Sequence, residues 1–138
     1  MTQLSEIMNR KVVTVDKHAS LRQAQRILDQ HNIRHLFVMD GKRLVGIVTD
    51  RDLRKAAPSS KSPLTASERE EFMDELKVVE VMSRKLIEAS PSTTVREAAK
   101  VMVREKIGCL PVVDGNALIG IVTETDLLEM LVRGEGTP

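Results

Sequence analysis

Aromatic residues are almost absent from this chain. Its 138 residues include two phenylalanines, Phe37 and Phe72, and no tryptophan or tyrosine. Proteins that hold single-stranded nucleic acid usually stack its bases on aromatic rings, and this chain has no such platform. The 21 basic and 20 acidic side chains leave a net charge of +1, which does not favour a polyanion or a membrane surface as partner. The composition therefore predicts an aliphatic core and disfavours nucleic acid as the ligand.

Cysteine and long apolar runs are also scarce. The one cysteine, Cys109, cannot form an internal disulfide, which is typical of proteins in a reducing compartment. No apolar run approaches the roughly 18 residues that a transmembrane helix needs. The first residues contain no apolar targeting stretch. We therefore expect a cytoplasmic protein that does not contact a membrane.

The sequence patterns of common catalytic and metal sites are missing as well. Neither a glycine-rich dinucleotide pattern nor a phosphate loop with its Lys-Ser/Thr pair occurs. The three histidines do not form a set with cysteine or carboxylate ligands at zinc spacing. Cys109 lies in an apolar run, where a small buried side chain is favoured over a nucleophile. We expect no catalytic residues, no metal site and no obligatory cofactor, so the chain should not be an enzyme.

The chain does contain an internal repeat. Residues 6–53 align with residues 80–127 at a constant offset of 74 without a gap, and 18 of the 48 pairs are identical. Such self-similarity indicates two copies of one supersecondary unit. A unit of about 50 residues buries too little surface to be stable alone. We therefore expect the two copies to pack together into one module.

Within each copy the hydrophobic pattern predicts the order β-α-β-β-α, which makes the fold class α/β. In the first copy this order rests on a β-branched run at Lys11–Val15, a helix capped by Ser20, strands over 35–39 and 44–48 around Asp40-Gly41, and a helix from Asp50. The second copy repeats it with a Thr94 cap, strands over 109–113 and 118–122 around Asp114-Gly115, and a helix from Glu124. We expect a first unit over 1–57, a linker over 58–79 with a short helix near 66–76, and a second unit over 80–138.

The point where the third strand gives way to a helix is a candidate anion site. Backbone N–H groups are free at a helix start, and the helix dipole favours a negative charge there. Thr49 and Thr123 stand at these starts, and Asp52 and Asp126 follow three residues later. Each threonine could cap its helix, donate to a phosphate, or do both. Each aspartate could simply be an acid in the first helical turn.

The same residues carry a resemblance to a known family. Gly46-Ile47-Val48-Thr49-Asp50-Arg51-Asp52-Leu53 and Gly120-Ile121-Val122-Thr123-Glu124-Thr125-Asp126-Leu127 resemble the ending of CBS domains, the units named after cystathionine β-synthase. Ile7-Met8 and Val81-Met82 before the first strands, and the 107–114 segment entering the second strand of copy two, also fit. The helical insert is similar to that of stand-alone pairs of the acetoin-utilisation type.

The resemblance implies two ligand clefts, each combining the helix start of one copy with the first strand of the other. Asp52 and Asp126 would accept hydrogen bonds from ribose hydroxyls. The first cleft would comprise Arg34, His35, Thr49, Arg51 and Asp52 with Lys85, Leu86 and Ile87, and the second Thr123 and Asp126 with Lys11, Val12 and Val13. Arg34 and His35 would reach phosphates, or they are ordinary exposed residues; copy two has Gly108 and Cys109 instead.

The resemblance also implies a function. The chain would be a regulatory, energy-sensing protein that binds AMP, ADP or ATP, with S-adenosylmethionine or NAD as other possible ligands. It would form a homodimer through its helices and signal to an unidentified target protein. The rival hypothesis is an oligomerisation or nucleic-acid-binding module without a small ligand. The matched Thr and Asp pairs argue against a purely structural role.

Overall fold

The computed structural model describes residues 1–58, 61 and 63–134. In the first half of the chain a short 3-10 helix (Leu4–Glu6) precedes β1 (Thr14–Asp16), α1 (Leu21–His31), β2 (His35–Asp40), β3 (Arg43–Thr49) and α2 (Asp50–Ala56). The insert contains α3 (Ala66–Glu75) and is followed by α4 (Val78–Val81). The second half contains α5 (Val95–Glu105), β4 (Cys109–Asp114), β5 (Ala117–Thr123) and α6 (Glu124–Val132). The α/β class and the predicted helix starts are confirmed.

The two copies share unusual backbone features as well as sequence. Both hairpins carry a register shift after the fourth residue of their first strand, between Val38 and Met39 and again between Val112 and Val113. Both tight turns place a glycine at positive φ, which a glycine adopts without steric cost: Gly41 at 61° and Gly115 at 63°. The repeat therefore reproduces the local geometry and not only the residue pattern.

The predicted first strand is shorter than the sequence suggested. The run Lys11–Val15 forms a strand only as β1, from Thr14, which pairs in parallel with β2. In the described part of copy two the equivalent pairing is a single parallel bridge between Ala89 and Val112. Lys17 N–H donates to the Met39 carbonyl at 3.0 Å, whereas Pro91, at the matching position, has no N–H to donate.

The chain forms two compact units, and neither coincides with the first or the second half of the sequence. The copy-one unit comprises Val13–Leu86, and the copy-two unit comprises Met1–Val12 together with Ile87 onward. The first residues of each copy, here called its leading segment (up to Val12 in copy one and 78–86 in copy two), therefore belong to the unit of the other copy. Val78 and Met82 are part of the copy-one core, and Leu4 and Met8 are part of the copy-two core.

Backbone hydrogen bonds fix each of these leading segments on a hairpin. In the copy-one unit Ile47 and Ser83 exchange two N–H to carbonyl bonds of 3.0 and 2.8 Å. In the copy-two unit Asn9 and Ile121 do the same at 2.9 and 3.0 Å. Each core also places a methionine over a strand glycine: a Cβ on Gly46 would lie 2.6 Å from Met82 Sδ, and a Cβ on Gly120 would lie 2.6 Å from Met8 Sδ. The glycines are therefore required by close approach.

The insert adds one helix to the copy-one unit. α3 begins at a capping box, where Thr65 Oγ1 accepts from Glu68 N–H at 3.1 Å, and it corresponds to the short helix predicted near 66–76. Its acidic side chains face solvent, and α3 has no buried residue. Two of its acids nevertheless bind Arg22 of α1, Glu70 at 3.2 Å and Asp74 at 3.1 Å. The predicted linker over 58–79 lies partly outside the described residues. No helix in the described ranges is long and apolar enough to cross a bilayer.

We predict that Gly46→Ala destabilises the fold more than Gly120→Ala. The new methyl at position 46 would meet the Ser83 carbonyl oxygen at 2.8 Å, whereas at position 120 the three nearest atoms all belong to the Met8 side chain. A side chain can move more easily than backbone, and overpacking of this kind costs about 1–3 kcal/mol. Urea unfolding of the two variants measures the difference. Equal losses, or a larger loss for Gly120→Ala, would contradict this account of the leading segments.

We also predict that residues 1–57 do not fold alone, because they lack Val78 and Met82 of the copy-one core. A fragment over 13–86 retains those residues and serves as the matched comparison. Far-ultraviolet circular dichroism with a thermal melt should show a cooperative transition only for 13–86. A cooperative melt of 1–57 would mean that the leading segment of copy two is dispensable.

Candidate functional site

Each candidate site is built on a helix start closed by reciprocal hydrogen bonds. Asp52 N–H donates to Thr49 Oγ1 at 3.2 Å, and Thr49 N–H donates to Asp52 Oδ2 at 2.9 Å. In copy two Asp126 N–H donates to Thr123 Oγ1 at 3.3 Å, and Thr123 N–H donates to Asp126 Oδ2 at 2.8 Å. Such a capping box satisfies two N–H groups that the helix leaves without partners. Both threonines therefore cap their helices, which is one of the roles that the sequence left open for them.

Capping leaves part of each aspartate available. A carboxylate accepts through both oxygens, and the box uses Oδ2. In the portion of the chain described, no hydrogen bond reaches Oδ1 of Asp52 or Asp126, and both residues are partly exposed. The same side chain can therefore hold its helix start and accept a hydrogen bond from a hydroxyl group. The structural and ligand-binding roles are compatible.

In the copy-one unit the hairpin brings Arg34 and His35 next to this helix start. His35 is directly opposite Thr49 in the β2–β3 ladder, and Asp50 N–H donates to the Arg34 carbonyl at 3.0 Å. Arg34 and Arg51 are exposed, and His35 is partly exposed. Backbone pairing thus brings Arg34, His35 and Thr49 together, the capping box adds Asp52, and Arg51 follows Asp50 in the chain.

Lys85 and Leu86, which were predicted to complete the first cleft, are less closely placed to Thr49 than Arg34 and His35 are. The bridge between Ser83 and Ile47 brings Lys85 and Leu86 into the copy-one unit, and Lys85 N–H donates to Ser83 Oγ at 3.3 Å. Because that pair is antiparallel, the residues after Ser83 run toward the start of β3 rather than toward Thr49.

Copy two repeats this geometry. Asn9 bridges Ile121, and Lys11 N–H donates to Asn9 Oδ1 at 3.0 Å, so Lys11 and Val12 belong to the copy-two unit with Thr123 and Asp126. Ile87 belongs to the copy-two unit and Val13 to the copy-one unit, where both are partly buried.

The copy-two helix start has the same backbone geometry and a different charge. Cys109 is opposite Thr123, and Glu124 N–H donates to the Gly108 carbonyl at 3.0 Å. The Glu124 carboxylate lies over this corner, with Oε1 3.4 Å from where a Cβ on Gly108 would be. Burial and then the nearby Glu124 charge raise the pKa of the Cys109 thiol to about 11. The thiol is therefore protonated at neutral pH and is not an activated nucleophile.

Matched positions show the charge difference between the two sites. Copy one has Arg34, Asp50, Arg51 and Asp52, two charges of each sign, whereas copy two has Gly108, Glu124, Thr125 and Asp126, two negative charges and no positive one. Arg34 and His35 were predicted from the sequence, whereas the position of Glu124 over the Gly108 corner was not.

No cluster suited to a metal was found. Over residues 1–58, 61 and 63–134, no group of three histidine, cysteine, aspartate or glutamate side chains could hold a metal ion. The described helix starts therefore offer hydrogen bonding and charge. Each unit has an acceptor carboxylate at a capped helix start, and the copy-one helix start also has arginines beside it.

Comparison with known proteins identifies relatives of the whole chain. The family model for the CBS domain matches residues 4–59 and 78–133. A CBS domain-containing protein of Dictyostelium discoideum is 35% identical over 132 residues, which cover 94% of this chain and 91% of that protein. A Vibrio cholerae protein provisionally named acetoin utilization protein AcuB has a similar solved structure, with a TM-score of 0.81, 31% identity and coverage of 96% of this chain and 92% of that chain.

A second solved structure carries ligands. The CBS domain pair of protein MJ0100, in complex with 5′-methylthioadenosine and S-adenosyl-L-methionine, matches with a TM-score of 0.79 and 29% identity. The match covers 98% of this chain and 99% of that one. Both ligands contain an adenosine unit with its ribose hydroxyls.

Proposed function

This chain belongs to the CBS domain family as a tandem pair, and we propose that it is a regulatory protein that binds an adenosine-containing ligand at one or both helix starts. The observation that carries the proposal is the repeated Thr-x-x-Asp box, in which each aspartate keeps Oδ1 for a ligand. The adenosine-type ligands of the MJ0100 pair support it. A small ligand that favours one arrangement of the protein shifts its population toward that arrangement, which is how a domain without catalytic groups can signal.

Within this proposal AMP, ADP or ATP binds at the copy-one helix start, with Arg34, His35 and Arg51 close to the phosphates. Arginine forms charge-assisted bonds with phosphate in a geometry that lysine does not match. The copy-two helix start, with Thr123 and Asp126, would take the adenosine unit without highly charged phosphates. The protein would act as a homodimer on an unidentified target and would not be an enzyme.

A thermal-shift screen tests the proposal as a whole. Adenosine, AMP, ADP, ATP, 5′-methylthioadenosine, S-adenosylmethionine and NAD would be compared with the matching guanosine nucleotides. A ligand at 100 times its dissociation constant stabilises the fold by about 2.7 kcal/mol. We expect stabilisation by at least one adenosine compound and none by its guanosine counterpart. If no compound shifts the melting temperature at millimolar concentration, the ligand-free oligomerisation hypothesis replaces this one.

We predict that Asp52→Ala weakens adenine nucleotides more than their 2′,3′-dideoxy analogues, because only the former offer ribose hydroxyls to Oδ1. A hydrogen bond to a charged group contributes about 1.5–3 kcal/mol. Isothermal calorimetry with both ligand types separates this loss from the loss of the helix cap, which affects both equally. Asp126→Ala is the matched control for the other site. Equal losses for the two ligand types would exclude the ribose role of Asp52.

We also predict that phosphate preference follows the arginines. Arg34→Gly with Arg51→Thr installs the copy-two residues in copy one and should reduce ATP affinity at least tenfold at low salt, while adenosine affinity changes little. The reciprocal Gly108→Arg with Thr125→Arg should raise ATP affinity at copy two. Both effects should shrink as salt rises, because exposed charges are screened over about 8 Å at 0.15 M ionic strength. Unchanged ATP to adenosine ratios in both variants would mean that these positions do not contact phosphate.

A further inference from the structure

An open groove lies between α1 and the insert helix α3 of the copy-one unit. Its volume is about 420 Å³, which falls within the roughly 300–1,000 Å³ that small-molecule sites in proteins occupy. Each helix contributes three of the residues that line this α1–α3 groove: Arg22, Gln25, Arg26, Arg69, Glu70 and Met73. Three of these side chains are positively charged and one is negatively charged, so the groove is basic although the chain as a whole is nearly neutral.

The α1 wall of the groove carries two arginines one helical turn apart. Residues at spacings of three and four lie on one face of a helix, so Arg22 and Arg26 point to the same side of α1. Arg22 already binds two acids of α3, Glu70 at 3.2 Å and Asp74 at 3.1 Å. Arg26 is exposed, and among the described residues no hydrogen bond or ion pair engages its guanidinium. α1 therefore offers the charge of Arg26 to a ligand.

The α3 wall supplies a third arginine and an apolar surface. Arg69 is half-buried, and its Nη2 donates to the Leu64 carbonyl at 3.1 Å, which holds the guanidinium near the start of α3. Met73 follows one turn later, half-buried, and packs against the copy-one core. The groove thus has a guanidinium group on each of its two helices and a thioether side chain in its lining.

Arginines placed in this way suit an anion with more than one charged group. The planar guanidinium forms paired, charge-assisted hydrogen bonds with carboxylate and phosphate groups. The chain itself provides an example, because Arg22 joins α1 to α3 through two carboxylates. A ligand with two anionic groups could join Arg26 of α1 to Arg69 of α3 in the same manner. A ligand with a single charge could not satisfy both helices equally well.

We propose that the α1–α3 groove binds a small molecule with two or more carboxylate or phosphate groups, which contact Arg26 of α1 and Arg69 of α3 at the same time. The site lies within the copy-one unit and uses none of the helix-start residues, so it does not depend on the proposed adenosine site. α3 has no buried residue, and an anion that joins it to α1 would hold the insert helix in place. The ligand would thereby act on the insert rather than on the helix starts.

Nuclear magnetic resonance of the full chain with carbon-13-labelled methionine methyl groups tests the site, because Met73 lines the groove. A Met73→Leu variant assigns its signal. Citrate and pyrophosphate, each titrated at constant ionic strength, distinguish a carboxylate ligand from a phosphate ligand. We expect a saturable shift of the Met73 methyl signal with at least one of them and none with sodium chloride. If neither anion shifts this signal at millimolar concentration, the proposal is wrong, whatever the thermal-shift screen shows for adenosine compounds.

Two pairs of charge-matched variants, each checked for folding by a melting curve, locate the anion in the groove. Arg26→Gln should weaken binding of the anion at least fivefold, whereas Lys100→Gln, at the equivalent position of copy two, should leave it unchanged. Glu70→Gln removes a carboxylate that competes for Arg22 and should strengthen binding at least twofold. Glu71→Gln, which removes an exposed acid outside the groove lining, should not. Equal effects within each pair would mean that the anion responds only to the overall charge, and would refute the site.

Discussion

The reciprocal placement of the leading segments is the constraint on which the rest of this structure depends. A unit of about 50 residues cannot bury enough apolar surface alone. Here each hairpin is completed by the first residues of the other copy, which supply a methionine and a residue that exchanges two backbone hydrogen bonds with the hairpin. These residues are Met82 and Ser83 in the copy-one unit, and Met8 and Asn9 in the copy-two unit. Because these bridges attach to β3 and β5, just before Thr49 and Thr123, they fix the strands from which both candidate sites begin.

The same strand ends explain why one pair of residues can serve folding and binding together. The capping box uses the threonine hydroxyl and one aspartate oxygen, and it positions the second oxygen without engaging it. Duplication then allowed the two sites to diverge in charge while their geometry was kept. Arg34 and Arg51 have no basic equivalent in copy two, where Glu124 lies beside Gly108. If both helix starts bind ligands as proposed, the two sites would respond differently to phosphorylated and unphosphorylated ligands.

Much of this arrangement could be predicted from the sequence, because the informative signals were local. The helix starts at Asp50 and Glu124 could be predicted because an N-cap threonine follows a β-branched run in each copy. The same pattern recurs at the offset of 74, so each copy supports the prediction for the other. The length of the first strand could not be predicted, because it depends on the strand that it pairs with. Pro91 has no N–H to donate, and this matters only where strand pairing needs a donor at that position. The contact of Glu124 with the Gly108 corner and the binding of α3 acids by Arg22 were also missed. Both join residues that lie far apart in sequence, where composition shows only charged surface.

Backbone amide shifts during an ATP titration, followed by nuclear magnetic resonance, test the central claim most directly. If the copy-one helix start is the phosphate-preferring site, the earliest and largest shifts at low ATP will belong to residues 34–35 and 49–53. The equivalent residues 108–109 and 123–127 should respond weakly to ATP and more strongly to adenosine. Saturating ATP that perturbs only the copy-two helix start, or neither helix start, would contradict the account.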